Sequence, residues 1–254
     1  MEDLDRAREQ PGCATQILRT LEAFGLQWDG AVRYQHQHLE AYAAAAEHLT
    51  RAGLTFPCSC SRRELDTATG YPGTCRAGAR RSGPTALRFR VPDETLTFRD
   101  GLQGCCHYDL SALGDCIVRR RDGTFAYQLA VVVDDARQGV SEVVRGADLL
   151  SSTPWQICLR RALALPEVGY AHLPLVVEPD GRKLSKSRRS VPLDPDQVGP
   201  LLYQALELLR QDPPPKLKLE RGSAILDWAL LHWRRERLHG VRELPISAVL
   251  GSRS

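Results

Sequence analysis

Apolar residues recur at helical spacing through the first fifty positions. Ile17, Leu18, Leu21 and Phe24 share one face of a helix expected over Ala14–Gly25, which Gly25 ends. A longer helix is expected from about Val32 to Ala52, carrying Tyr34, Leu39, Tyr42, Ala45 and Leu49, with Gly53 closing it in the left-handed conformation. After a charged helical turn expected at 61–68, the period shortens to two. Ala86–Val91, Thr95–Phe98, Cys105–Leu110 and Asp115–Arg120 are short alternating runs separated by turn residues, as strands of a β-rich lobe would be. Arg121-Asp122-Gly123-Thr124 supplies a hairpin turn, since Asp-Gly readily takes positive φ angles.

The second half alternates strand-like and helix-like stretches. Phe125–Leu129 is apolar enough to be buried. Val131-Val132-Val133 ending in Asp134-Asp135 reads as a strand terminus at a cleft. Gly139–Arg145 predicts another strand, followed by a helix whose start is marked by Thr153 as cap and Pro154 in the first turn. A strand is expected over His172–Val177. Helices near Asp194–Arg210 and Ser223–Glu236, split by Pro213-Pro214-Pro215, complete the chain. Helices of this kind cover sheet faces in α/β folds.

Composition narrows the classes. With 43% hydrophobic and 26% charged residues the chain is ordinary for a globular protein, and no apolar run is long enough to span a bilayer. The start, Met1-Glu2-Asp3-Leu4-Asp5, is acidic where a secretory signal would be basic, so a cytoplasmic location without membrane contact is expected. A net charge of +3 excludes a general polyanion binder, although Arg119-Arg120-Arg121, Arg160-Arg161, Arg188-Arg189 and Arg234-Arg235 are local basic clusters. Without a secretory signal, the eight cysteines suggest metal binding rather than a disulfide framework.

Two stretches carry candidate chemistry. Cys58-x-Cys60 followed by Tyr71 and Cys75 offers three thiolates and a phenol that one loop could bring around a tetrahedral structural zinc ion. Tyrosine is an uncommon ligand. Cys105, Cys106 and His107 are alternative sources of the fourth donor, and three buried free thiols are the bland reading. The second stretch is Arg182-Lys183-Leu184-Ser185-Lys186-Ser187, just after the Pro179-Asp180-Gly181 turn. Two ammonium groups interleaved with hydroxyls on a loop can hold a triphosphate as its charge shifts; a solvated basic loop is the alternative.

Taken in order, Glu2-Asp3-Leu4-Asp5, the Cys58/Cys60/Tyr71/Cys75 cluster, Phe125-Ala126-Tyr127-Gln128, Val143–Leu149 and Lys183–Ser187 resemble the catalytic domain of class I glutamyl-tRNA synthetases. The chain looks most like their short paralogues, which glutamylate queuosine at the wobble position of tRNA(Asp) and lack the large anticodon-binding domain. The resemblance implies a class I synthetase Rossmann-like parallel sheet with a zinc-binding insertion. Residues 1–53 would be a remnant of the first half of the catalytic domain, 54–121 the zinc-binding and β-rich insertion, and 122–192 the second half with the lysine loop. Residues 193–254 would be a short helical region without an anticodon-binding module.

It implies glutamate, ATP with Mg²⁺ and queuosine-bearing tRNA(Asp) as substrates, one structural Zn²⁺, and a monomer. It also implies Lys183 and Lys186 as catalytic, Lys186 and Ser185 as ATP-binding, and Glu2, Tyr127 and Arg145 as glutamate-binding residues. Arg145 would grip a substrate carboxylate, a task suited to a guanidinium fork. The bland readings are a frayed terminus for Glu2, a core aromatic for Tyr127 and a surface strand end for Arg145.

The family also places a strand, a His-x-Gly-His-like signature and a helix upstream of the Glu-Asp-Leu-Asp stretch, and no His in this chain is followed by x-Gly. The expectation is a shortened member, most simply through a start assigned too far downstream at Met1, with poor folding and little adenylation if made as written. Two other functions are compatible with the residues: a non-catalytic zinc-containing tRNA-binding module, and a fragment of a conventional glutamyl-tRNA synthetase.

Overall fold

A computed structural model describes residues 1–65, 70–178, 181–182 and 193–246. The first helix, α1 (Cys13–Ala23), follows its predicted span. The second, α2 (Leu39–Arg51), starts about seven residues later than its apolar period suggests. The N-terminal segment competes for the missing turns. Gln35 N–H donates to the Met1 carbonyl at 3.1 Å, and Asp3 accepts the His36 N–H at 3.0 Å and contacts its ring Nδ1 at 2.5 Å. These bonds leave only a 3₁₀ turn at Gln35–Gln37 before the helix.

Three antiparallel strands follow as one small sheet: β1 (Thr55–Cys58), β2 (Ala86–Phe89) and, further on, β5 (Cys116–Arg119), in the order β1-β2-β5. Between β2 and β5, β3 (Thr95–Asp100) and β4 (Gly104–Asp109) form a hairpin, then a one-turn helix, α3 (Leu110–Leu113). The four alternating runs therefore became the four strands expected of them. The Arg121–Thr124 turn also forms, with Gly123 at φ 87 and Arg120 N–H donating to the Thr124 carbonyl at 2.8 Å.

The valine run is a correction. Val131-Val132-Val133 lies in the helix α4 (Tyr127–Arg137), not at a strand end. Leu129 through Val133 are all buried, because α4 is packed against α2, β5 and the later helix α5 (Thr153–Ala162). A segment covered on every side shows no helical period, and burial overrides the strand preference of valine. Thr153 is the first residue of α5 rather than its cap, which is Ser152.

The larger sheet joins the two halves of the chain. β6 (Glu142–Gly146) pairs in parallel with β7 (Gly169–Leu173), and β7 meets β3 in parallel at the Asp100–Tyr170 pair, giving the order β4-β3-β7-β6. The single strand expected over His172–Val177 is split at Pro174, which has no N–H to continue a ladder. Its second part, β8 (Leu175–Val177), pairs in parallel with β9 (Glu243–Pro245), a strand the apolar pattern does not announce. Near the C-terminal end, α6 (Val198–Leu208) and α7 (Gly222–His232) pack around Tyr203, Leu206, Leu217 and Ile225. The lysine loop, Lys183 to Ser187, lies outside the described residues.

The main core gathers Tyr42, Leu49, Phe89, Val91, Leu110, Val118, Leu129 and Leu159 from both halves. Asp115 fixes the cysteine-bearing loop to it. Its carboxylate accepts two bonds from Arg76, at 2.8 and 2.7 Å, and one from the Val91 N–H at 2.9 Å. Next to it, Gly114 sits at φ 74, where a β-carbon would meet the Tyr71 backbone nitrogen at 2.5 Å. Gly114→Ala is therefore expected to lower unfolding free energy by about 2 kcal/mol or more, combining strain with a backbone clash. Urea denaturation of the purified chain checks it.

Candidate active site

Arg145 on β6 and Tyr127 at the first turn of α4 are both half-buried, and the guanidinium is near enough to favour the ionised phenol. Burial pushes the Tyr127 phenol up and the charge of Glu2 adds to this, while Arg145 opposes. Glu2 keeps an exposed side chain, yet its carboxyl is raised, first by desolvation and then by Asp135 and Asp134, against the N-terminal ammonium and Arg145. Asp135 is raised by burial too, with Arg160 and Arg145 opposing. Glu2, Tyr127 and Arg145 are thus brought together, with Asp135 as a fourth member that the sequence reading assigned to a strand end.

The other carboxylate of α4, Asp134, is committed elsewhere. It accepts from the Tyr42 hydroxyl at 2.8 Å and from the Gln35 amide at 2.9 Å, which leaves Asp135 as the freer acid. A cleft of about 350 Å³ beside them is lined by Glu2, Gln35, Asp134 and Asp135. An arginine and two acids near enough to shift one another's protonation can take a zwitterion: the guanidinium binds a carboxylate, and the acids bind an ammonium group.

Arg145 is itself held from behind by residues the sequence reading missed. Its Nε donates to His172 Nε2 at 3.1 Å, its Nη2 donates to Thr153 Oγ1 at 3.0 Å, and its guanidinium lies 5.5 Å from the centre of the Tyr170 ring. His172 is fully buried on β7, and its Nδ1 lies 2.6 Å from Asp100 Oδ2. Asp100 and His172 are 72 positions apart, so no local spacing marks them. The only sign was a strand-end carboxylate just beyond the expected Thr95–Phe98 run.

The Cys58/Cys60/Tyr71/Cys75 group assembles as a cluster. The three sulfurs lie within 4.8 Å of one another, with Cys60 and Cys75 3.5 Å apart, and Tyr71 Oη is 3.4 Å from Cys58 and 3.9 Å from Cys60. Bonds of about 2.3 Å in a tetrahedron put sulfurs roughly 3.8 Å apart, so the donor set fits a zinc ion. Burial raises the Cys75 thiol, but backbone bonds from Ser59 and Arg80 and side-chain bonds from Cys60 and Tyr71 outweigh it and hold it at about 6. Cys60 is pushed up to about 11 by burial and by Cys75 and Cys58. Arg88 lies 3.8 Å over the Tyr71 ring. Cys105, Cys106 and His107 are on β4 in the other sheet, where Cys105 contacts His107 at 3.3 Å, so they do not complete the cluster.

Residues 1–71 and 69–210 match the family described as tRNA synthetases class I (E and Q), catalytic domain. The chain belongs to this family. Among curated relatives, the glutamyl-Q tRNA(Asp) synthetases of Pseudomonas aeruginosa and Ectopseudomonas mendocina are 47% and 49% identical to it over 247 residues, which is 96% of this chain and 84% of each relative. Among solved structures, a glutamate tRNA ligase from Elizabethkingia meningosepticum in complex with its amino acid superposes with a TM-score of 0.75 at 19% identity. It shares the fold over 98% of this chain, which spans 60% of that protein's length. The class I synthetase fold is thereby established, with its parallel strands β6 and β7 carrying Arg145 and His172. No helix among the described residues of this synthetase domain is long and apolar enough to cross a membrane.

The buried histidine gives the domain a pH dependence. Desolvation lowers His172, against the pull of Asp100, so the folded ring resists a proton that the unfolded chain accepts below about pH 6.5. Stability then falls as pH drops from 7 to 5, by at most about 1.4 kcal/mol per pH unit from this group. Urea midpoints of the wild type should fall more steeply over that window than those of His172→Gln.

Proposed function

We propose that the chain activates glutamate with ATP and Mg²⁺ as glutamyl-adenylate and transfers the glutamyl group to queuosine in tRNA(Asp). The observation that carries this reading is the opposition of Arg145 to Glu2 and Asp135 around Tyr127, in a chain whose relatives bear the glutamyl-Q tRNA(Asp) synthetase name. The ammonium group and one carboxylate of glutamate match that charge pattern.

In the first step a glutamate carboxylate oxygen attacks the α-phosphorus, the bond to the β-phosphate breaks and pyrophosphate departs. Arg145 and Tyr127 hold a substrate carboxylate while Glu2 and Asp135 hold the ammonium, so the attacking oxygen is oriented before reaction. Lys183 and Lys186, with Ser185, stabilise charge on the leaving pyrophosphate, acting mainly at the transition state. In the second step the glutamyl group passes to queuosine and AMP is released. Cys58, Cys60, Tyr71 and Cys75 would hold one Zn²⁺, which closes the insertion and takes no part in these steps.

The destination of glutamate separates this function from that of a conventional glutamyl-tRNA synthetase. With labelled glutamate and ATP, label is expected on queuosine-bearing tRNA(Asp), and neither on tRNA(Asp) lacking queuosine nor on tRNA(Glu). Label on tRNA(Glu) would reject the assignment. The destination of the label, rather than the rate, is the readout. Arg145→Ala should weaken glutamate binding by about 2–3 kcal/mol, the loss of a charge-assisted bond, as titration calorimetry would record. Elemental analysis of the purified protein should find zinc in the wild type and its loss in Cys75→Ser.

A further inference from the structure

We infer that Asp100 and His172 act as a positioning pair for Arg145: Asp100 fixes the tautomer of the His172 ring, and the ring in turn aims the guanidinium. The inference rests on the reading of Arg145 as a glutamate ligand and adds how that ligand is held.

The partners determine where the proton sits. Arg145 Nε can only donate, so His172 Nε2, 3.1 Å away, must be a bare acceptor. The ring proton is then on Nδ1, donated to Asp100 Oδ2 at 2.6 Å. Thr153 Oγ1 also lies 3.2 Å from His172 Nε2; it accepts from Arg145 Nη2 at 3.0 Å, and its single proton is shared between that ring nitrogen and the Leu149 carbonyl at 3.3 Å, which again requires Nε2 to be bare. His172 is 0% and Asp100 2% exposed, so water cannot substitute for either partner. Asp100 is locked in turn, because its Oδ1 accepts the backbone N–H groups of Leu102 at 2.9 Å, Gln103 at 2.8 Å and His172 at 3.1 Å.

This geometry makes Asp100→Asn a specific probe. Three backbone donors keep the asparagine oxygen where Oδ1 was, so the amide nitrogen replaces Oδ2 and donates to Nδ1. The ring proton is forced to Nε2, where it opposes Arg145 Nε–H. The carboxylate's shape is retained while the aim of the arginine is lost, as when an orienting aspartate is changed beside a catalytic histidine. His172→Gln has the opposite character, since its amide oxygen can still accept from Arg145.

The experiment is ¹⁵N NMR of the full chain, together with glutamate titration. In the wild type, the His172 ring should show a protonated Nδ1 and a bare Nε2, with a slowly exchanging Arg145 Nε proton. In Asp100→Asn the ring pattern should invert, the Arg145 signal should be lost, and glutamate affinity should fall about tenfold or more. His172→Gln should keep most of the affinity. A wild-type ring protonated at Nε2, or an Asp100→Asn variant with an unchanged Arg145 signal, overturns the inference. If the ring behaves as described but Arg145→Ala binds glutamate like the wild type, the positioning pair stands and the glutamate role of Arg145 fails.

Discussion

The carboxylate of Asp100 is the point at which the two halves of the protein and its candidate active site meet. Asp100 ends β3 in the β3-β4 hairpin and supplies the pair, with Tyr170, through which that hairpin joins the parallel strands. A buried carboxylate is tolerable only when its oxygens are satisfied. Here three backbone N–H groups and the His172 ring do so; burial alone would raise the carboxyl, yet these bonds hold it below the usual range. The bonds from His172 to Asp100 therefore tie β7 to the end of β3 and set the histidine, and the histidine sets Arg145.

The cysteine cluster is braced on a similar principle. Asp115 clamps Arg76 and the Val91 backbone, and Gly114 allows the Tyr71 backbone to approach, so the loop that carries Cys75 is tied to the central core. Arg121 donates to the Ser59 and Cys60 carbonyls from the other side. The cluster is thus held by contacts from beyond its own loop, which suits an ion that closes a fold rather than one that reacts.

Much of this was legible in the sequence. The four alternating runs after Ala86 and the Asp122-Gly123 turn depend on neighbouring residues, and local rules read them correctly; the cysteines singled out by spacing come together in space. The errors arise where distant parts decide. Val131–Val133 is helical because three elements cover it, the start of α2 yields to Asp3 and Met1, and β9 exists through its partner β8. Glu2, Tyr127 and Arg145 were named only through family resemblance. Asp135, Asp100 and His172 were not named as site residues, since burial and long-range contact give them their roles.

The account rests on the claim that Arg145, aimed by His172 and opposed by Glu2 and Asp135, receives glutamate. A crystal structure of the protein soaked with L-glutamate tests it most directly. The account predicts a substrate carboxylate within hydrogen-bonding distance of the Arg145 guanidinium, with the ammonium group turned toward Glu2 and Asp135. Glutamate bound elsewhere, with no carboxylate on the Arg145 guanidinium, would contradict it.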